Sequence, residues 1–320
     1  MKKYLLIMLL FISINSLSNE VLKPEIIYNS EVITEIVSIN NNKCLLSTPN
    51  GLKIFDLKTK KISDFLKNLK SNIAFNYLSN ISFDGKYYYI REYSSKNLTR
   101  IYLYSIDKKL LKTFEYKTGN YLIMSKTGKY LLKRELNNYS IINTLTQKKV
   151  QTFKNLNIIP RFIVSPDKNF IIFSDYSSNP SKTFLYIYNL KNGNFIKKIT
   201  INDFVYSLNI FPYINFYKDE FYILAKDNLY IFNLKTYTLK TKLLKSKNNF
   251  CASYFVSNNN IYIQNNYDIL VFDKKNKKLI KKLRINNYES LYDQIIISKD
   301  ENYLIGIKFQ ESRVKLYKLK

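Results

Sequence analysis

The chain has 320 residues, 46% of them hydrophobic and 16% aromatic, with 29 Tyr and 21 Phe against 6 Gly, 6 Pro and no Trp. That is enough apolar material for a packed core, which excludes disorder and collagen-like repeats, and strand-favouring side chains far outnumber alanine. The formal charge is +27 and histidine is absent, so Ser-His-Asp triads, Cys-His pairs and imidazole metal or acid–base sites are excluded.

Met1-Lys2-Lys3 is a short basic region, Tyr4 to Ile14 is an apolar run, and Ser16-Leu17-Ser18 has the small-x-small pattern of a cleavage site. This order reads as a secretory signal over residues 1–18, with 19–320 as one mature domain, exported to the periplasm or outside the cell. The alternative is an uncleaved membrane anchor, against which the apolar run falls short of the roughly 20 residues that span a bilayer; after cleavage no transmembrane segment is expected. Cys44 and Cys251 are the only cysteines. They read as small buried thiols and not as a disulfide framework.

From residue 52 onward a unit of the form apolar-x-apolar-aromatic-polar-Leu recurs, the first six copies each followed by a polar turn and a new apolar run. Taking the polar position as anchor gives Asp56, Ser105, Thr144, Asn189, Asn233, Asp273 and Lys318, at spacings of 49, 39, 45, 44, 40 and 45. Two residues before each anchor stand Ile54, Leu103, Ile142, Ile187, Ile231, Val271 and Leu316, and one before stand Phe55, Tyr104, Tyr188, Phe232, Phe272 and Tyr317, with Asn143 the exception. Side chains two apart share one face of a strand, so the aliphatic set buries one face and the aromatic set the other.

Upstream of the anchors a second element recurs: strand, turn, strand. Its clearest copies are Ile81-Ser82-Phe83-Asp84-Gly85-Lys86-Tyr87, Met124 to Tyr130, Val164 to Phe170 and Ile297 to Tyr303. Asp-Gly and Pro-Asp between apolar runs favour turning, because Gly accepts positive φ, Pro presets φ and Asp bonds the backbone ahead of it.

About four short strands in 40–45 residues is the pattern of a propeller blade. Through the Ser-x-Asp-Gly-Lys-like turns and the apolar-aromatic-polar-Leu strand, residues 22–320 resemble the seven-bladed β-propellers of WD-repeat and YVTN type, nearer to bacterial exported propellers since Trp-Asp and Gly-His pairs are absent. The resemblance implies an all-β fold: a seven-bladed β-propeller of four-stranded antiparallel blades. The last anchor lies two residues from the chain end, so Leu22 to Tyr28 is expected to pair beside Val314 to Leu319 and close the last blade.

In the family geometry the first and third turns of every blade share one rim. Lys58, Lys60, Lys61, Lys108, Lys109, Lys148, Lys149, Lys274 and Lys275 fall there as a candidate basic rim. The opposite rim receives one acid from each of blades two to seven, Glu92, Glu135, Asp175, Asp227, Asp268 and Glu311, with Tyr93 and Tyr176 in Tyr-Ser-Ser loops beside two of them. These residues form the candidate interaction rim, and the molecule is expected to be electrically two-faced. Only six arginines are present, Arg91, Arg100, Arg134, Arg161, Arg284 and Arg313, which argues against nucleic acid as partner. The resulting expectation is a monomeric, non-catalytic scaffold that binds another protein or an envelope component, without cofactor or metal. A propeller enzyme acting on a glycan or lactone through carboxylates is the alternative.

Overall fold

The computed structural model describes residues 19–28, 35–38, 43–48, 51–67, 78–81, 87–94, 98–117, 122–124, 129–135, 138–154, 161–165, 169–176, 182–202, 214–217, 219–225, 228–244, 251–266, 268–285, 292, 294–298, 300–308 and 313–319. The expected signal at 1–18, Asp227 and Glu311 lie outside them. The described residues form seven small β-sheets and no helix.

Sheets 1 to 6, which span residues 35–67, 78–117, 122–153, 161–201, 214–242 and 251–285, each contain four consecutive strands in chain order, antiparallel to one another. Sheet 1 is Glu35–Ser38, Lys43–Thr48, Gly51–Asp56 and Lys61–Lys67. Sheet 4, a fully formed example, is Arg161–Val164, Phe170–Tyr176, Thr183–Asn189 and Phe195–Ile201. Sheet 7 has three such strands, Gln294–Ile297, Tyr303–Lys308 and Arg313–Lys318.

The N-terminal segment divides between two sheets. Glu25–Tyr28 pairs antiparallel with Arg313–Lys318 as the fourth strand of sheet 7. Asn19–Leu22 instead runs parallel to Leu279–Ile285 and makes sheet 6 five-stranded. Leu22 therefore does not belong to the strand beside Val314 to Leu319; its side chain enters the core between sheets 6 and 7. Lys23-Pro24 separates the two short strands, and proline, lacking an N–H, suits a place where pairing stops.

Period-two alternation explains the packing between sheets. In sheet 1, Leu45 joins a cluster with Tyr88 of sheet 2, whereas its neighbours Cys44 and Leu46 join one with Ile305 and Leu316 of sheet 7. Each sheet is thus buried on both faces. Further clusters link sheets 2 and 3, 3 and 4, 4 and 5, 5 and 6, and 6 and 7. The first strands of sheets 6, 7, 1 and 2 lie against one another in that order, so in these sheets the fourth strand lies on the far side, with Asn19–Leu22 beyond it in sheet 6. Cys44 is a buried free thiol, and burial pushes its ionisation far above the usual thiol range.

The anchor in sheet 3 is Asn143, one residue before Thr144. Three observations fix this. Asn143 Oδ1 accepts the Leu145 and Thr146 N–H groups at 3.0 Å each, as Asn189 and Asn233 do for the residues two and three beyond them. Gln147, four beyond Asn143, takes the left-handed φ of 58° that Lys60, Gly193, Tyr237 and Lys277 take four beyond their anchors. Ile141 packs toward sheet 4 and Ile142 toward sheet 2, as the residues two and one before every other anchor pack forward and back. With Asn143 as anchor, the aliphatic position is Ile141, and Ile142 takes the place of the aromatic.

In sheets 1 to 6 the pairing of third and fourth strands contains a register shift. The bulge recurs on the fourth strand, where it increases local twist.

Candidate interaction face

Antiparallel order places the first and third turns of a sheet at one end and the second turn at the other. Backbone bonds fasten the two turns at the first end together: the N–H after the anchor reaches back to the first turn in Thr144→Lys129, Leu190→Asn169, Leu234→Asp219, Lys274→Asn259 and Leu319→Asn302, at 2.7 to 3.0 Å. The first turns have a repeated device as well. Ser165, Ser257 and Ser298 each accept, through Oγ, the N–H of the residue that restarts the next strand, at 2.9 to 3.0 Å. This is the physical content of the serine in the repeated Ser-x-Asp-Gly-Lys-like turn: a side chain that closes the turn with a hydrogen bond.

Lysines crowd the third turns. Lys58, Lys60, Lys61, Lys108, Lys109, Lys148, Lys149 and Lys275 are exposed there, and Lys191, Lys235 and Lys278 add to them. Lys60 reaches Glu25 on the outer strand of sheet 7 at 2.7 Å. Lys274 departs from the expected basic rim: it is 8% exposed, and its Nζ donates to the Ser257 carbonyl at 2.5 Å. The cause is its register. It stands one beyond the anchor, where the other sheets place Leu57, Ile106, Thr144, Leu190, Leu234 and Leu319, so its stem fills an inward-facing slot.

Most carboxylates at this end are occupied within the fold. Asp56 accepts the N–H groups of Lys58 and Thr59 at 3.0 and 2.9 Å, Asp273 accepts that of Asn276 at 2.8 Å, and Asp219 pairs with Lys235 at 2.9 Å. Glu220 ties sheet 5 to sheet 6, accepting from Lys240 in its own sheet, from Tyr222 OH at 2.5 Å and from Lys277 of sheet 6 at 2.9 Å. Burial alone would raise the Glu220 carboxyl; these donors hold it below the usual range. Burial pulls the Lys277 ammonium down, and Glu220 offsets part of that.

Glu301 is a second clasp, between sheets 7 and 6. Its carboxylate accepts from Ser257 Oγ at 2.7 Å, Asn260 Nδ2 at 2.5 Å, Tyr262 OH at 3.0 Å and the Asn259 N–H at 3.3 Å. Burial pushes it up and the donor set outweighs burial, leaving it below the usual carboxylate range. Neither clasp was visible as a chain motif, because the donors to Glu301 lie 39 to 44 residues away and the donor that joins Glu220 to sheet 6, Lys277, lies 57 away.

At the opposite end, Glu92, Tyr93, Glu135, Asp175 and Tyr176 lie on second strands, within Tyr87–Ser94, Tyr130–Glu135 and Phe170–Tyr176. The two Tyr-Ser-Ser stretches are therefore partly strand: Glu92 stands opposite Arg100, and Asp175 opposite Phe184. Asp268 is the candidate rim acid whose side chain is described. It faces Asn265 across a two-residue hairpin in which Asn266 takes a φ of 51°, a conformation asparagine tolerates better than most residues. Asp268 Oδ2 pairs with Lys282 at 2.8 Å, and its Oδ1 is buried without a hydrogen bond. Among the described residues no cluster of three potential metal ligands occurs, and no helix is long and apolar enough to cross a membrane.

The arrangement of sheets has many counterparts among solved structures. The C-terminal WD40 domain of Sif2 is similar over 95% of this chain and 99% of that one, with a TM-score of 0.58 at 12% identity. The fold is that of a WD40-type β-propeller. A chain of the mitotic checkpoint complex is similar over 95% of this chain and 93% of that one, with a TM-score of 0.64 at 10% identity. Hydrazine synthase of Kuenenia stuttgartiensis matches over 91% and 97%, with a TM-score of 0.61 at 13% identity. No protein-family profile and no curated protein sequence matches the chain. At these identities the likeness concerns the propeller fold alone.

Proposed function

We propose that the seven sheets are the blades of one closed ring, latched by Glu25–Tyr28 on the last blade, and that this propeller is an exported, non-catalytic binding platform for a protein or an envelope component. The cluster joining sheets 7 and 1 supports closure. The order of basic, apolar and small residues in 1–18 supports export. The observation that carries the binding reading is the asymmetric use of charge at the two-turn end: most of its described carboxylates are bound to turns, blades or a lysine, while most of its lysines project outward from closed turns. A rigid cationic rim of this kind steers polyanionic partners.

WD40 propellers generally serve as interaction scaffolds, and the chain of the mitotic checkpoint complex belongs to an assembly. Hydrazine synthase is an enzyme on the same fold, so the fold by itself leaves both classes open. The carboxylate-enzyme reading gains nothing from Glu220, Glu301 or Asp268, whose partners are structural.

The test is capture from the envelope fraction with the mature chain as bait. Reversal of Lys58, Lys61, Lys108, Lys109, Lys148 and Lys149 to Glu is expected to abolish capture with the unfolding midpoint nearly unchanged, since exposed charges contribute little to folding. Capture that survives reversal would move the site to the opposite rim. Mass spectrometry of the exported protein tests processing, with Asn19 expected as first residue.

A further inference from the structure

The large hydrophobic side chains exposed to solvent are not scattered. Of those among the described residues, all but Val21 lie in or just beyond the third turns: Leu110, Leu145, Val150, Phe195, Leu239, Leu279 and Ile280. Phe195 is 54% exposed and Leu145 51%. Each lies within a few residues of an exposed lysine of the same turn: Leu110 follows Lys109, Val150 follows Lys149, and Leu279 follows Lys278. Sheets 2 to 6 therefore each present an apolar side chain beside ammonium groups at the same end of the molecule.

A single exposed apolar side chain is ordinary, but its recurrence at the same place in five successive sheets is a pattern of the kind that marks an interaction surface. An interfacial membrane site needs both kinds, with apolar side chains entering the acyl boundary and lysines meeting anionic headgroups. Resting on the reading of this end as a binding face, we propose that the rim of third turns docks the propeller on an anionic phospholipid bilayer. Charge complementarity selects that occupant, and so does the repetition. A laterally uniform surface can meet the same apolar–cationic pair on five successive sheets, whereas one protein partner would have to repeat its own complement at the same spacing. Lysine also fits this role, as a point charge without the fixed fork that directs arginine to planar ligands.

The absence of tryptophan supplies a clean probe, since Phe195→Trp makes the sole indole in the chain. The variant chain from Asn19 onward, which contains every described strand, is titrated with vesicles of phosphatidylcholine containing phosphatidylglycerol. The expected results are co-sedimentation, a blue shift of indole emission, neither effect with pure phosphatidylcholine, and binding to heparin without a blue shift. Changing Leu110, Leu239 and Leu279 to Ser with every lysine kept should weaken vesicle binding about tenfold or more. Absence of vesicle binding near physiological salt, or binding without a blue shift, overturns the proposal. If vesicles fail while an envelope protein is still captured through the lysines, the platform reading stands without the membrane; if both fail, the platform reading falls as well.

Discussion

Gly306 is the floor on which Tyr292 lies. A Cβ at position 306 would stand 2.6 to 2.7 Å from three ring carbons of Tyr292. The ring cannot swing away freely, because its hydroxyl is hydrogen-bonded to that of Tyr317 and it is wedged within the core between sheets 6 and 7.

Gly306→Ala should therefore destabilise by about 1–3 kcal/mol, the usual range for overpacking. In a Tyr292→Ala background the same change should cost little. A denaturant double-mutant cycle measures the difference, and equal costs in both backgrounds would show that the ring is not the obstacle.

The third turns make a second comparison. Gly193 has a φ of 76°, and a Cβ there would strike the amide of Gln151, whose Cδ would be 2.9 Å away. That side chain is flexible, so the lasting cost of Gly193→Ala is the left-handed backbone, about 1 kcal/mol. Gln147 occupies the equivalent position with a φ of 58°, and Gln147→Gly should shift stability the other way by a similar or smaller amount. Matched thermal melts would decide, and two changes of the same sign would refute the shared turn geometry.

Acid should unlatch the carboxylate clasps. Glu220 and Glu301 both titrate below their ordinary value of 4.5 in the folded state, so the stability they contribute is present above that pH and is lost as the pH falls through their lowered folded values. Glu301→Gln leaves donors from Ser257, Asn260 and Tyr262 facing an amide with only one acceptor oxygen. It should cost about 1–3 kcal/mol at pH 7 and reduce the slope of stability against pH below 4.5. Urea midpoints at a series of pH values test this, and an unchanged acid slope would count against the clasp.

Lys274 separates packing from charge. Lys274→Ala should cost about 2–4 kcal/mol through the lost stem, while Lys274→Leu, the residue found in four other sheets, should stay within about 1 kcal/mol. Lys274→Glu should be the most harmful of the three, because it leaves a charge in a slot with 8% exposure. A harmless Lys274→Glu in thermal melts would return this lysine to the surface.

Much of the architecture was legible because a repeated backbone needs the same few side chains each time. The anchors that accept two turn N–H groups are Asp56, Asn143, Asn189 and Asn233, all short side chains with an oxygen two bonds from Cβ, and alternating faces between two neighbours must both be apolar. The slip at Thr144 arose where two candidate anchors stand side by side and Ile142 replaces the expected aromatic. The left-handed residue that would have decided the register was Gln147, and only Gly193 advertised that conformation in the chain. Lys274 was misplaced because a run of lysines does not reveal which member points inward; its alignment with Leu57, Leu190, Leu234 and Leu319 was the available clue. The clasps of Glu220 and Glu301 could not be found from spacing, since the donors that cross between sheets, Lys277 to Glu220 and Ser257, Asn259, Asn260 and Tyr262 to Glu301, are 39 to 57 residues away in the chain. Glu92, Glu135 and Asp175 were read as loop residues where the second strands run further than turn composition suggests.

The bulge that recurs between third and fourth strands matters for self-association. A 16% aromatic chain with strands at almost every step could polymerise edge to edge if its outermost strands were long and straight. In sheets 1 to 5, whose fourth strand is the edge, each shift in register bends that edge before it can template a flat ladder, and the lysines on it repel a second copy; in sheet 6 Asn19–Leu22 covers the bulged strand. Shortening sheet 4 by deleting Ile196, at the shift between Ile187 and Tyr188, would straighten one such edge. Protection of these edges against fibril growth is thus assigned to one surplus residue per sheet, repeated as faithfully as the core.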